Sequence, residues 1–288
     1  AAILNARGEL AWQTALAFRR EDMTATHKFA LSAAVLLLSA CLAGCAQQEQ
    51  EEGPDYADDE AVAAIADGLE ERSDVADAHR AEGTDQTTKA LVETTQVEID
   101  AVAPMRNRQF EDSRLQEAVL AYANLLDDMK TAAESSPIDD IDFIQEWTAL
   151  YGERSVAIKE FVDDWGLTVD EAHQTHLDEI LRNATAVEAK ADVEEAAQAL
   201  VASMAFEMVD NGYGFYTYTA VAENTTGIDF GSFSIRLDLY DADGVKVEET
   251  HAFTSSWPSG EKVKFEAFSQ TAAAEARVTV DTYQAQSS

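Results

Sequence analysis

Two periodicities divide the chain. From about residue 86 to residue 203 apolar residues recur at spacings of three and four, the signature of helices with one buried stripe. Leu91, Thr95, Ile99 and Val102 form the first such run, which Pro104 stops. Leu115, Val119, Tyr122, Leu126 and Met129 form the second, up to Ser135-Ser136-Pro137. The third holds Ile144, Trp147, Tyr151, Ile158, Phe161 and Trp165, with Arg154 where an apolar residue is expected, and Gly166 supplies its C-terminal stop. Thr168-Val169-Asp170-Glu171 reads as a capping box for a further helix that buries Leu177, Ile180, Leu181 and Ala184, with helix continuing around 193–201. Amphipathic stripes joined by short turns predict an antiparallel bundle over residues 85–204.

Past Met204 the period becomes two. Phe233, Ile235, Leu237 and Leu239 alternate with Ser234, Arg236, Asp238 and Tyr240, and Asp241-Ala242-Asp243-Gly244 then makes a turn. Val245 and Val247, Val263 and Phe265, and Ala276, Val278 and Val280 extend the pattern, after an earlier strand over Tyr213–Glu223. Six or seven short strands between turns predict an antiparallel sandwich over residues 205–288, so the fold class is α+β.

Before residue 85 the pattern is different. Sixteen residues from Phe29 to Gly44 carry no charge, follow Lys28 and end in small side chains. That is short for a membrane span and has the layout of a signal peptide over residues 23–44. Leu42, Ala43, Gly44 and Cys45 resemble the lipobox of bacterial lipoproteins, in which cleavage precedes the cysteine and its sulfur is lipidated. The resemblance implies a lipid anchor on Cys45 and a place on the outer face of the cytoplasmic membrane. Met23 is then the natural start, and residues 1–22 read as over-extended upstream translation. Residues 45–84 are polar, acidic and broken by Gly53 and Pro54, which predicts a flexible tether; Val62, Ile65 and Leu69 give 58–80 some helical spacing, but Gly68, Gly83 and the charge density count against a helix. About twelve residues of such coil span on the order of 20 Å.

The segment FSIRLDLYDADGVKVEETHAFTSSWPSGEKVKFEA resembles the FxLYD domain of secreted and lipid-anchored Gram-positive proteins. Leu239-Tyr240-Asp241 match the name motif, Asp243-Gly244 its turn and Pro258-Ser259-Gly260-Glu261 a later turn; Leu237 stands where the motif has phenylalanine. The upstream helices are similar to those that often precede this domain. The resemblance implies an immunoglobulin-like sandwich and assigns no catalytic residue.

Charge and chemistry narrow the function. The formal charge is −35, so a basic surface for nucleic acid is excluded. Cys41 and Cys45 are the two cysteines, so the body of the chain offers no cysteine nucleophile, disulfide framework or thiolate zinc site. His173 and His176 lie at i and i+3 beside Glu171, Asp178 and Glu179, yet no third ligand stands at a matching spacing. They read as boundary histidines, and no metal or other cofactor is expected. Asp241-Ala242-Asp243-Gly244 lacks the later ligands of a calcium loop and reads as a hairpin turn. Acidic pairs such as Asp139-Asp140 and Asp163-Asp164 could serve a hydrolase, but no nucleophile elbow, phosphate loop or HExxH accompanies them. The sequence therefore points to a non-enzymatic binding module at the cell surface, held by its lipid and open to a protein or cell-wall partner. The alternative is a solute-binding or sensing lipoprotein with a cleft between bundle and sandwich.

Overall fold

The computed structural model describes residues 55–286. The upstream segment, the signal peptide, the lipobox with Cys45 and the first part of the tether lie outside those residues. Among the described residues five helices come first, followed by two antiparallel sheets of three strands each. The chain divides into two compact units, one ending at Thr185 and the other starting at Ala186.

The first helix, α1 (Asp58–Glu82), corrects the expectation of a tether reaching residue 84. Ala57, Ala61, Ile65 and Leu69 lie at helical spacing and are buried. Much of this stripe is alanine, which weakens its hydrophobic signal. Gly68, read as a breaker, instead permits close packing: a Cβ there would meet the Ala101 side chain at 3.0 Å and the Glu98 backbone at 3.4 Å. Asp55–Ala57 is also tied down, since Tyr56 bridges Gln109 and the Ala57 amide donates to the Gln109 carbonyl at 2.9 Å.

Helix α2 (Thr88–Val102) is capped by Thr87, whose hydroxyl accepts from the Ala90 amide. Pro104 ends it, and a 3-10 turn over Ala103–Asn107 follows. Helix α3 (Ser113–Ser135) starts at an Asp112 cap and α4 (Ile141–Trp165) at an Asp140 cap. Gly166 closes α4 with φ +68°, and the Leu167 amide reaches back to the Phe161 carbonyl. The core contains Ile65, Val119, Tyr122, Leu126, Met129, Ile158, Phe161 and Leu177.

Helix α5 (Gln174–Ala202) begins later than the capping box at Thr168 predicts. The Glu70 carboxylate accepts the Asp170 amide, and the Asp170 side chain accepts the His173 amide. These bonds hold residues 170–173 in a turn before the helix begins. The helix ends at Ala202, just before the boundary expected at residue 205, whereas the division between the compact units, after Thr185, falls within it.

In the second unit the sheets have the orders β1-β2-β5 and β4-β3-β6. The strands are β1 (Glu207–Asp210), β2 (Tyr216–Glu223), β3 (Phe230–Tyr240), β4 (Lys246–Thr254), β5 (Lys262–Ser269) and β6 (Glu275–Ala285). Strand β1 was not expected. Strand β2 begins at Tyr216 rather than Tyr213, because Gly212, Tyr213 and Gly214 all take positive φ in the β1–β2 turn. On β3 the alternation holds: Phe233, Ile235, Leu237 and Leu239 are fully buried. They form one apolar cluster with Tyr218, Trp257, Phe265 and, from the end of α5, Ala197, Leu200 and Val201. Asp241–Gly244 is a turn, with the Asp241 side chain accepting the Asp243 and Val245 amides. Asn224, fully buried, donates to the carbonyls of Ile228 and Trp257 and so fixes the loop beside the core.

Candidate functional site

Along one side of the helical unit an open groove of about 490 Å³ lies between α1 and the α4–α5 connection. Four of its lining residues are acidic: Asp59, Asp67, Glu70 and Asp170. Trp165, at the end of α4, forms part of the wall, with its indole N–H donating to Asp112 and the Arg114 guanidinium over its ring. Thr168 is another lining residue.

At the Glu70–Asp170 edge of this groove the two histidines singled out in the sequence meet α1. His173 Nδ1 lies 2.6 Å from Asp170 Oδ1, and its Nε2 lies 3.1 Å from Asp74 Oδ1. Glu70 stands 4.0 Å from the same ring. His176 Nδ1 is hydrogen-bonded to the Ser73 hydroxyl, and its Nε2 lies 3.7 Å from Asp77. Residues 70, 73, 74 and 77 share one face of α1, so each turn of that helix meets one polar residue of the segment 170–176. The sequence neighbours Glu171, Asp178 and Glu179 are not the partners of these rings. The partners from α1 are not legible in the sequence because that stretch reads as tether; the signal it does carry is the spacing Glu70–Asp74–Asp77.

Glu70, Asp170 and His173 present ligand-type atoms within 4.8 Å of one another. Both His173 nitrogens, however, face carboxylate oxygens, and an imidazolium with two N–H donors satisfies both, leaving no ring lone pair for a metal. Accordingly, hydrogen bonds to Asp74 and then Asp170 push the His173 pKa above the ordinary histidine value. The same bond to His173 holds the Asp170 carboxyl below its usual range. The arrangement is an ion-paired seam between α1 and the start of α5.

Ser73, His176 and Asp77 are the residue types of a nucleophilic triad, but their geometry is wrong for one. Asp77 is beyond hydrogen-bond reach of the ring and is bound by Arg80. Ser73 sits within α1, where backbone amides are committed to the helix and none is left to hold an oxyanion. Of the acidic pairs noted in the sequence, three members are in structural use: Asp140 caps α4, Asp163 binds Lys159, and Asp164 binds Arg114.

Deeper in the same unit lies a second polar constellation. Glu98 accepts from Tyr122 Oη at 2.6 Å and from Arg154 Nε at 2.9 Å, while Arg72 Nε stands 3.1 Å away. The side chains of Glu98 and Arg154 are each 1% exposed. Burial opposes ionisation of Glu98, but Arg154 and Arg72 outweigh it and hold the carboxyl below its usual value. Tyr122 is pushed well up, by burial first and then by Glu98. Arg154 was the visible anomaly in the sequence. Its partner, 56 residues away, was not visible.

The second unit presents its distinctive features at the surface. The β1–β2 turn carries Tyr213, fully exposed at φ +58°, beside the exposed Phe215. Val209 on β1 and Phe268 on β5 flank Thr217 on β2 in register, which puts all three on one sheet face. Val209 and Phe268 are exposed. A non-glycine residue with positive φ is strained by about 1–3 kcal/mol, and such strain clusters at recognition sites.

No family model, no curated protein and no solved structure matches this chain. Among the described residues no helix is long and apolar enough to cross a membrane.

Proposed function

We propose that the chain is an extracytoplasmic lipoprotein, held on the outer face of the cytoplasmic membrane by lipid on Cys45, whose folded part is a non-enzymatic binding module. The observation that carries the proposal is the tetrapeptide Leu42-Ala43-Gly44-Cys45. It closes an uncharged run of sixteen residues and is followed at once by polar, acidic chain. Two acyl chains on one sulfur suffice for stable anchoring, at about 0.8 kcal/mol per buried methylene. The described residues start at Asp55, ten positions beyond that cysteine, so the lipid and the folded part are joined by a short link.

The binding half of the proposal rests on the second unit. Its resemblance to FxLYD domains favours an immunoglobulin-like sandwich, and the two small sheets around Trp257 are compatible with that reading. Exposed Tyr213 and Phe215 at a strained turn, beside the edge strand β1, suit recognition of a protein or cell-wall partner. A second reading, solute binding by an anchored sensor, is supported by the acidic groove of the helical unit.

A photo-crosslinking residue at Phe215 in living cells tests the binding half, with the same probe at exposed Glu134 on α3 as control. A discrete adduct is expected from position 215, lost when Tyr213→Ser is added, and absent from position 134. The same products from both positions would contradict an interaction site at this turn.

A further inference from the structure

We propose that the seam between α1 and the first turns of α5 is a proton-operated latch, closed while His173 is protonated and loosened as it becomes neutral. Its polar contacts run in three steps. Glu70 accepts the Asp170 amide at 2.7 Å; His173 bridges Asp170 and Asp74; His176 binds Ser73 and approaches Asp77. Two of the three steps therefore depend on an imidazole.

The groups facing these rings are strongly biased toward carboxylate. From α1 come Glu70, Asp74 and Asp77, the last already paired with Arg80. From the histidines' own segment comes Asp170, with Glu171 exposed beside it, and Asp178 and Glu179 follow on α5. Asp178 accepts from Gln174, and Glu179 faces Arg182. With the His173 ring protonated, a positive charge stands among Glu70, Asp74 and Asp170. With it neutral, those three carboxylates face one another without that charge, and one His173 nitrogen meets a carboxylate lone pair to lone pair.

The direction follows from linkage. A histidine whose folded-state pKa is raised contributes stability in full below its unfolded value, about 6.5, and loses it as pH rises through the folded value. The latch is thus firm in mild acid and weakens through neutral toward alkaline pH. Glu70 and Asp170 also line the groove, so loosening the seam frees one wall of it. Leu177 and Ile180 stay packed on the core in either state, so what loosens is the first turn, whose carbonyls from His173 onward accept the amides of 177–181.

Hydrogen exchange on the full chain tests this, comparing amides of 177–181 at pH 5.5 and 8.5 after correction for intrinsic exchange. Protection is expected to fall several-fold at the higher pH, while amides of α3 stay level. The double variant His173→Gln, His176→Gln should show equal protection at both values. A wild-type NMR titration gives an independent readout: the His173 ring should titrate above the free-histidine value. Protection that ignores pH, a dependence that survives in the double variant, or a His173 ring titrating at or below the free value would each overturn the proposal. So would a dependence abolished by a metal chelator, since a bound cation would then be holding the seam.

Discussion

Replacing Arg154 with methionine will destabilise the helical unit by about 3–5 kcal/mol, the cost of breaking a buried ion pair by removing one partner. For a unit of this size that lowers the thermal midpoint by roughly 10–20 °C. The loss is large because Glu98 is buried with nowhere to find water. Arg154 contributes two of its hydrogen bonds, and the remaining cation, Arg72, is shared with the Thr94 carbonyl. The double variant Glu98→Leu, Arg154→Met should recover much of the loss, since an apolar replacement of a buried pair is often close to neutral. A single-variant loss under about 1 kcal/mol in urea unfolding would show that the pair is solvated after all. The same network sets the acid limit of the unit. With the Glu98 carboxyl held below its usual value, its contribution is present above the unfolded value, about 4.3, and disappears as pH falls through the folded one.

Trp257→Ala will cost the second unit about 3–5 kcal/mol through lost burial and the cavity left behind. Trp257 is fully buried, and its ring lies 5.0 Å from Phe265 and 5.1 Å from Phe233. Its indole N–H donates to the Glu261 carbonyl, and its backbone exchanges two hydrogen bonds with Phe230. The side chain therefore joins β3, β5 and the loop before β5. Because the chain forms two compact units, exchange protection should collapse across β2, β3 and β5 while α3 and α4 keep theirs. Equal loss in α3 and α4 would mean the two units unfold as one.

The elements legible in the sequence were those whose cause is local. Alternation on β3, the proline after α2 and the glycine after α4 act within a few residues, and each stands where its chemistry predicts. Helix α1 was missed because alanine supplies much of its buried stripe and because Gly68 looks like a breaker until Ala101 and Glu98 are seen against it. Strand β1 escaped because it is four residues long and exposed throughout. The site was legible only in part. His173 and His176 stood out by residue type, but their carboxylate partners lie about a hundred positions upstream, where helix packing rather than sequence spacing decides who meets whom. Arg154 likewise announced a buried charge without naming Glu98.

Metabolic labelling with a radioactive fatty acid, followed by membrane fractionation of cells expressing the native chain and a Cys45→Ala variant, tests the central claim most directly. The native chain should carry label and sediment with membranes, and the variant should carry none and leave them. Unlabelled native protein, or a variant retained on membranes as firmly as the native chain, would contradict anchoring through Cys45.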